Sequence, residues 1–210
     1  MAWYLKTNSI CKGWEQLCKK IVTEGMVVPD ERGTKTKEIM NVLMEITDPD
    51  DDTMSDYTFW KGDHLKKYEE QFCSADNDQN FVYTYGNRLR DYFNNTDQIM
   101  DSVQRLRECK ESRRAVSITW DQTLDTTAKE VPCLILVDFL VRDHKLYTNA
   151  TWRSHDIYGA WYANMFGLRA LAHLVAENIM EGMQLGSMTV RSISAHIYET
   201  DWKNAEEMLK

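Results

Sequence analysis

Pro132-Cys133-Leu134-Ile135-Leu136-Val137 is a strongly apolar run, short and rich in branched side chains, bounded upstream by proline. Such a run reads as a buried strand, here over Cys133 to Val141. Working outward, Arg142-Asp143-His144-Lys145 reads as a hairpin turn into a further strand, Leu146 to Thr151. A mostly apolar segment from Tyr158 to Glu181, closed by Gly182, predicts a long helix whose low charge implies burial on most sides. Further strands are expected over Arg114 to Trp120 and Thr189 to Tyr198. Strands and helices mix without the alternation of a doubly wound sheet, so the expected class is α+β.

The first half of the chain is more helical. Ile10, Trp14, Leu17 and Ile21 repeat at helical spacing between a Ser9 cap and Gly25. Ile39 to Ile46 suggests a strand ending before Pro49, and Leu65, Tyr68 and Phe72 suggest a short helix. After a polar turn from Ser74 to Asn80, Phe81-Val82-Tyr83-Thr84-Tyr85-Gly86 looks extended. Thr96 or Asp97 can cap a helix carrying Ile99, Val103 and Leu106, which ends near Lys110-Glu111-Ser112.

With 210 residues and 43% hydrophobic side chains, the chain can bury one substantial core, and a single domain over residues 1–210 is expected. Uncharged apolar stretches fall short of the roughly 20 residues that cross a bilayer, and Met1 to Lys6 has no signal-peptide pattern, so a soluble cytoplasmic protein is expected. Five cysteines without a Cys-x-x-Cys pair indicate reduced thiols and no metal site. A net charge of -8 opposes non-specific binding to nucleic acid, so an anionic ligand would need a local gathering of arginines. Arg32, Arg113, Arg114 and Arg153 are the candidates. The acidic run Asp48-Pro49-Asp50-Asp51-Asp52 reads as a solvated loop, lacking the ligand spacing and glycine of a calcium loop.

Cys133 is a candidate nucleophile, because a thiolate reacts strongly when nearby cations stabilise it. Alone, it would be a small buried hydrophobe. It does not stand alone: twenty residues on comes Arg153-Ser154-His155-Asp156, then Asn164, then His196-Ile197-Tyr198. These groups suit a phosphate, a planar base and a sugar. Guanidinium forks donate paired hydrogen bonds to phosphate oxygens, and an amide offers one donor and one acceptor to a base edge. His196 and Tyr198, two apart on a strand, share a face. A zinc-dependent nucleotide deaminase is disfavoured, since position 136 is leucine and no histidine upstream of Cys133 is followed by x-Glu.

The order and spacing of these motifs resemble the thymidylate synthase family. The resemblance implies a thymidylate synthase-like α+β fold, a mixed β-sheet with a long buried helix, and a homodimer through the sheets. It implies that Cys133 is the nucleophile and that Arg153 and Ser154 bind the nucleotide phosphate. Arg32, in a loop like the family's N-terminal phosphate loop, joins them, and Arg113 and Arg114 do so from the neighbouring subunit. By the same resemblance Asn164 pairs with the uracil edge, and His196 and Tyr198 hold the sugar. Tyr85 helps organise proton transfer near the cysteine, and Asp156 contacts the one-carbon donor and orders the site.

The chain also departs from the bacterial and animal pattern. Leu134 stands where they have histidine, Trp152 where they have glutamine, and the helix bearing a catalytic glutamate is missing, with Asp56, Glu69 and Glu70 as substitutes. Only twelve residues follow Tyr198, so the extension that closes over the folate is absent, as in the short archaeal form. The resemblance implies reductive methylation of dUMP to dTMP. Cys133 would add to carbon 6, and methylene-tetrahydrofolate or methylene-tetrahydromethanopterin would supply carbon and hydride, with no metal. A dUMP or dCMP hydroxymethylase and a non-catalytic nucleotide-binding protein of the same fold are the alternatives.

Overall fold

The computed structural model describes residues 2–77 and 81–209. In chain order the elements are β1 (Trp3–Thr7), α1 (Ile10–Glu24), β2 (Met26–Pro29), β3 (Lys35–Ile46), α2 (Gly62–Cys73) and α3 (Tyr85–Arg90), then α4 (Gln98–Glu108), β4 (Val116–Ile118) and β5 (Leu134–Arg142). They continue with β6 (Lys145–Asp156), a π-helical turn (Ile157–Trp161), α5 (Tyr162–Ile179), β7 (Gln184–Tyr198) and α6 (Trp202–Glu207). The strands form one seven-stranded sheet in the order β1-β3-β7-β6-β5-β4, with β2 paired to β3. The β1–β3 and β6–β7 pairs are parallel and the remainder antiparallel, so the sheet is mixed, as expected for α+β.

Period-2 burial along β5 and β6 turns Val137, Phe139, Leu146, Ala150 and Trp152 to one face. Helices α1 and α5 cover that face. Ser9 caps α1 by accepting from the Lys12 amide, and its stripe of Ile10, Trp14, Leu17 and Ile21 is fully buried. Trp14 donates from its indole to the Ile157 carbonyl at 2.7 Å, tying α1 to the π turn. Along α5, Met165, Leu168, Leu171, Ala172, Val175 and Ala176 are all at 0% exposure. Burying each of the larger of these side chains contributes roughly 1.5–3 kcal/mol.

Several boundaries differ from the sequence reading. The expected extended segment over residues 81–86 is no strand: Thr84 accepts from the Asn87 amide, so Tyr85 and Gly86 begin α3. A local Thr cap outweighs the β-propensity of the aromatics. The turn expected over residues 74–80 lies partly outside the described residues. The strand expected from Arg114 to Trp120 shortens to β4, because the Ser112 hydroxyl accepts from the Arg114 amide and holds that end in a turn. Strand β6 runs five residues beyond the expected Thr151, so Arg153-Ser154-His155-Asp156 lies in the sheet. The helix expected from Tyr158 starts as the π turn, with the Asp156 carboxylate accepting from the Gly159 amide at 3.0 Å, and ends at Ile179. The hairpin at Arg142–Lys145 does form, with Asp143 and His144 both at positive φ (49° and 58°), the twist that matches paired strands.

The acidic run lies in a loop with Asp48, Asp50 and Asp52 exposed, as expected, and two of its carboxylates are paired at the surface. Arg169 bonds Asp52 at 2.5 Å and Glu69 at 3.2 Å, and His173 lies 2.7 Å from Asp50.

Candidate active site

Three neighbouring strands bring the separated motifs to one edge of the sheet. In the β5–β6 pair Leu134 faces Trp152, and the Arg153 amide donates to the Cys133 carbonyl at 2.9 Å. A register shift between Leu134 and Leu136 marks an irregularity beside the cysteine, a distortion that re-aims a side chain at the end of a strand. In the β6–β7 pair Ser154 faces Ser194 and Asp156 faces His196. Cys133, Arg153, Ser154, Asp156 and His196 thus become lateral neighbours through strand register, and α5 brings Asn164 to them.

A cavity of ≈ 620 Å³ opens at this edge. Of the residues singled out from sequence, Cys133, Tyr85, Ser154, Asp156 and Asn164 line it. Arg153 stands behind Cys133, with a guanidinium nitrogen 3.9 Å from Sγ. Its other contacts are the Pro132 and Val131 carbonyls at 2.9 and 3.2 Å and the Trp120 ring, 5.8 Å away. The guanidinium is therefore already aimed. His196 and Tyr198 share a strand end with rings 5.0 Å apart, edge to face. The imidazole Nδ1 is 3.3 Å from Ser194 Oγ, which donates to Glu38 at 2.5 Å.

The remaining arginines lie elsewhere. Arg32 sits on the β2–β3 turn, where Asp30 accepts from its amide, and its exposed guanidinium is 3.7 Å from Glu130, a residue of the cavity wall. Arg113 and Arg114 are exposed before β4, whose partners Asp138 to Leu136 lie further along β5 from Cys133, so this chain does not bring them to its own cavity. Asp56, Glu69 and Glu70 do not line it either; Glu69 is engaged by Arg169. The carboxylates that line it are Glu130 and Asp156.

Burial governs the electrostatics. It pushes the Cys133 thiol above its ordinary value, outweighing Arg153 and the Tyr83 hydroxyl, which pull it down. The Asp156 carboxyl is raised to about 6 by burial, against the Gly159 amide that favours its charged form. Burial drives His155 well below its usual value, and it lowers His196 as well. Tyr83 is pushed up to about 12, and Tyr68 and Tyr85 are also raised by burial. Burial thus favours the neutral forms of the Cys133 thiol, the His155 and His196 imidazoles and the three phenols, beside an Asp156 carboxyl raised to about 6.

Sequence reasoning did not single out Tyr83, Tyr68, His155 or Trp60 for the site. Trp60 stacks on His64, with rings 4.4 Å apart and 15° from parallel, and both line the cavity with Phe81 and Val82 at its exposed rim. Tyr68 reads from sequence as a core residue of α2, and only the packing of α2 against α5 delivers its hydroxyl to Asn164. His155 occupied the variable place of the Arg-Ser-x-Asp pattern. Among the described residues no cluster of three or more His, Cys, Asp or Glu could hold a metal, and no helix is long and apolar enough to cross a membrane.

The model of the family described as "Thymidylate synthase" matches residues 47–210, most of the chain and all of this edge. The chain belongs to the thymidylate synthase family. It is 47% identical to a protein of Methanothermobacter thermautotrophicus, with both chains covered in full. It is 40% identical to one of Methanosarcina mazei, covering 98% of this chain and 94% of the relative. A third relative, from Methanocaldococcus jannaschii, is 33% identical over 92% of this chain and 90% of its own. All three are provisionally named thymidylate synthase.

Proposed function

We propose that this protein is a thymidylate synthase, a methyltransferase that converts dUMP to dTMP through a covalent bond between Cys133 and carbon 6 of uracil. The observation that carries the reading is the convergence on one cavity of a half-buried thiol, a guanidinium 3.9 Å from it, and a buried amide on the facing helix. A thiolate adding to a pyrimidine splits a hard substitution into two easier steps. Arg153, Ser154 and Arg32 would bind the phosphate, His196 and Tyr198 the sugar, and Asn164 the base edge. Tyr85, on the cavity wall, would order proton transfer, and Asp156, poised near pH 6, would hold or release a proton beside the donor.

The one-carbon donor, methylene-tetrahydrofolate or methylene-tetrahydromethanopterin, supplies the carbon and the hydride. The pterin would lie against the aromatic side of the cavity, where Trp60, Phe81 and Val82 offer apolar surface and Asp156 and His64 offer polar partners. We further infer one domain spanning the chain and a homodimer through the sheets. The open sheet face carries Leu43, Val116, Ile118 and Ile193, each between 38% and 48% exposed, and a dimer through it would direct Arg113 and Arg114 to the partner's site. Free thiols at all five cysteines accord with a cytoplasmic location.

The test is release of tritium from carbon 5 of labelled dUMP with either donor, using Cys133→Ala as control. Cysteine-dependent release is expected, with a product mass corresponding to a methyl group. A hydroxymethyl mass would assign the hydroxymethylase reaction, and no release from folded protein with either donor would overturn the enzyme reading.

A further inference from the structure

An amide side chain is two-faced. Turned by half a rotation it presents a donor where an acceptor stood, so an isolated asparagine can pair with either a 4-oxo, 3-NH base edge or a 4-amino, 3-N edge. Asn164 is 3% exposed and lines the cavity, and its orientation is set from behind. The Tyr68 hydroxyl donates to its Oδ1. Its Nδ2 lies 3.1 Å from His155 Nε2, and His155 Nδ1 lies 2.9 Å from Ser192 Oγ. The imidazole is 1% exposed and stacked on Trp152, with rings 4.6 Å apart and 11° from parallel, so it cannot swing aside.

A neutral buried imidazole carries one proton, and its two nitrogens have opposite roles. With the proton on Nδ1, His155 donates to Ser192 and accepts from Asn164, while Asn164 Oδ1 accepts from Tyr68. Tyr68, both ends of the Asn164 amide and both ring nitrogens of His155 are then paired, with the Ser192 hydroxyl as acceptor. In the reverse arrangement Nε2 would donate to Oδ1 and Nδ2 would donate to the Tyr68 oxygen. The Tyr68 proton, on the half-buried wall of the cavity, would then lose the Asn164 acceptor that the structure gives it, and an unpaired donor there is costly. The satisfied arrangement leaves Asn164 with one N–H and one carbonyl lone pair for a ligand.

We propose that His155, held by Ser192 and Trp152 and assisted by Tyr68, is a specificity-determining positioning residue that locks the Asn164 amide to favour a 4-oxo pyrimidine and exclude a 4-amino one. This rests on the reading above that a deoxyuridylate occupies the cavity. The β6 imidazole supplies the polar contact at the Nδ2 end of the amide, and Tyr68 supplies the one at the Oδ1 end.

The test measures dissociation constants for dUMP and dCMP by calorimetry on the full chain, for wild type, His155→Leu and Tyr68→Phe, with circular dichroism verifying the fold. Wild type should prefer dUMP. In either variant the amide is free to turn, and the preference should fall about tenfold, the worth of one hydrogen bond, partly through tighter dCMP binding. Should His155→Leu fail to fold, Tyr68→Phe decides. A preference unchanged within twofold in folded variants, with wild type discriminating, overturns the lock alone. Wild type that binds neither nucleotide removes the deoxyuridylate reading and the lock with it.

Discussion

Replacing Asp156 by Asn should stabilise the unliganded protein above pH 6 while impairing turnover. Burial raises the carboxyl from 3.8 to about 6, so the folded chain holds this proton more tightly than the unfolded chain does. The contribution is fully present below about pH 4, where the group is protonated in both states, and is lost as pH rises through about 6. Above that, the folded state carries a partly buried charge. A gap of about two pH units at about 1.4 kcal/mol each sets a ceiling of about 3 kcal/mol. The group borders an open cavity, so solvent brings the expected gain nearer to about 1–2 kcal/mol. Asparagine keeps the oxygen that accepts from the Gly159 amide at 3.0 Å, so the cap of the π turn survives. The assay is urea unfolding of both proteins at matched concentration from pH 4 to pH 8. The variant's advantage should be absent near pH 4 and grow to its full value by pH 7. A pH-independent difference would refute the assignment of burial as the cause. Retaining a destabilising carboxyl here is what a site does when it needs a group that titrates near neutrality.

Alkylation of Cys133 by iodoacetamide, followed by peptide mass spectrometry, should accelerate from pH 7 to pH 9 without a plateau, because burial holds the thiol above its ordinary value; Arg153→Gln should slow it further, and a plateau below pH 8 would contradict the shift. Arg88→Ala should cost about 3–5 kcal/mol in urea unfolding, because it strands Asp125 from its paired bonds at 2.8 and 3.0 Å; Arg88→Met with Asp125→Leu should cost less. Gly167→Ala should cost about 1–3 kcal/mol, since the added carbon would lie 2.5 Å from the Phe72 ring. Inactive Arg113→Ala and Cys133→Ala subunits, once exchanged, should regain activity as heterodimers, and failure despite verified exchange would argue against shared sites.

The elements legible in the sequence are those whose signal is local. The α1 stripe is read from spacing and its Ser9 cap, α4 from Ile99, Val103 and Leu106 after a Thr96 or Asp97 cap, of which the structure uses Asp97, and the β5–β6 hairpin from two apolar runs about a polar turn. Strands β1 and β2 escaped because they are short and edge-like, and pair only with β3 through contacts distant in sequence. Tyr85 misled because a run of aromatics has strand character in isolation, whereas Thr84 closes a helix around it.

For the site, the residues that read out are those in a fixed linear order, Cys133 to Arg153-Ser154-x-Asp156 and on to Asn164. Register turns the strand part of that order into proximity, with Leu134 opposite Trp152 and Asp156 opposite His196. The groups that were not legible reach the same point from another layer. Tyr68 belongs to α2, and nothing in its own helix distinguishes it from the Leu65 and Phe72 that share its face. It acquires a role because α2 packs across α5, placing a phenol against the one amide of an otherwise apolar buried turn. A polar atom in such a place must be paired, so an asparagine in the apolar stretch around position 164 calls for a donor and an acceptor on sequence grounds alone. Which residues supply them depends on helix packing, and that information is spread over the whole core.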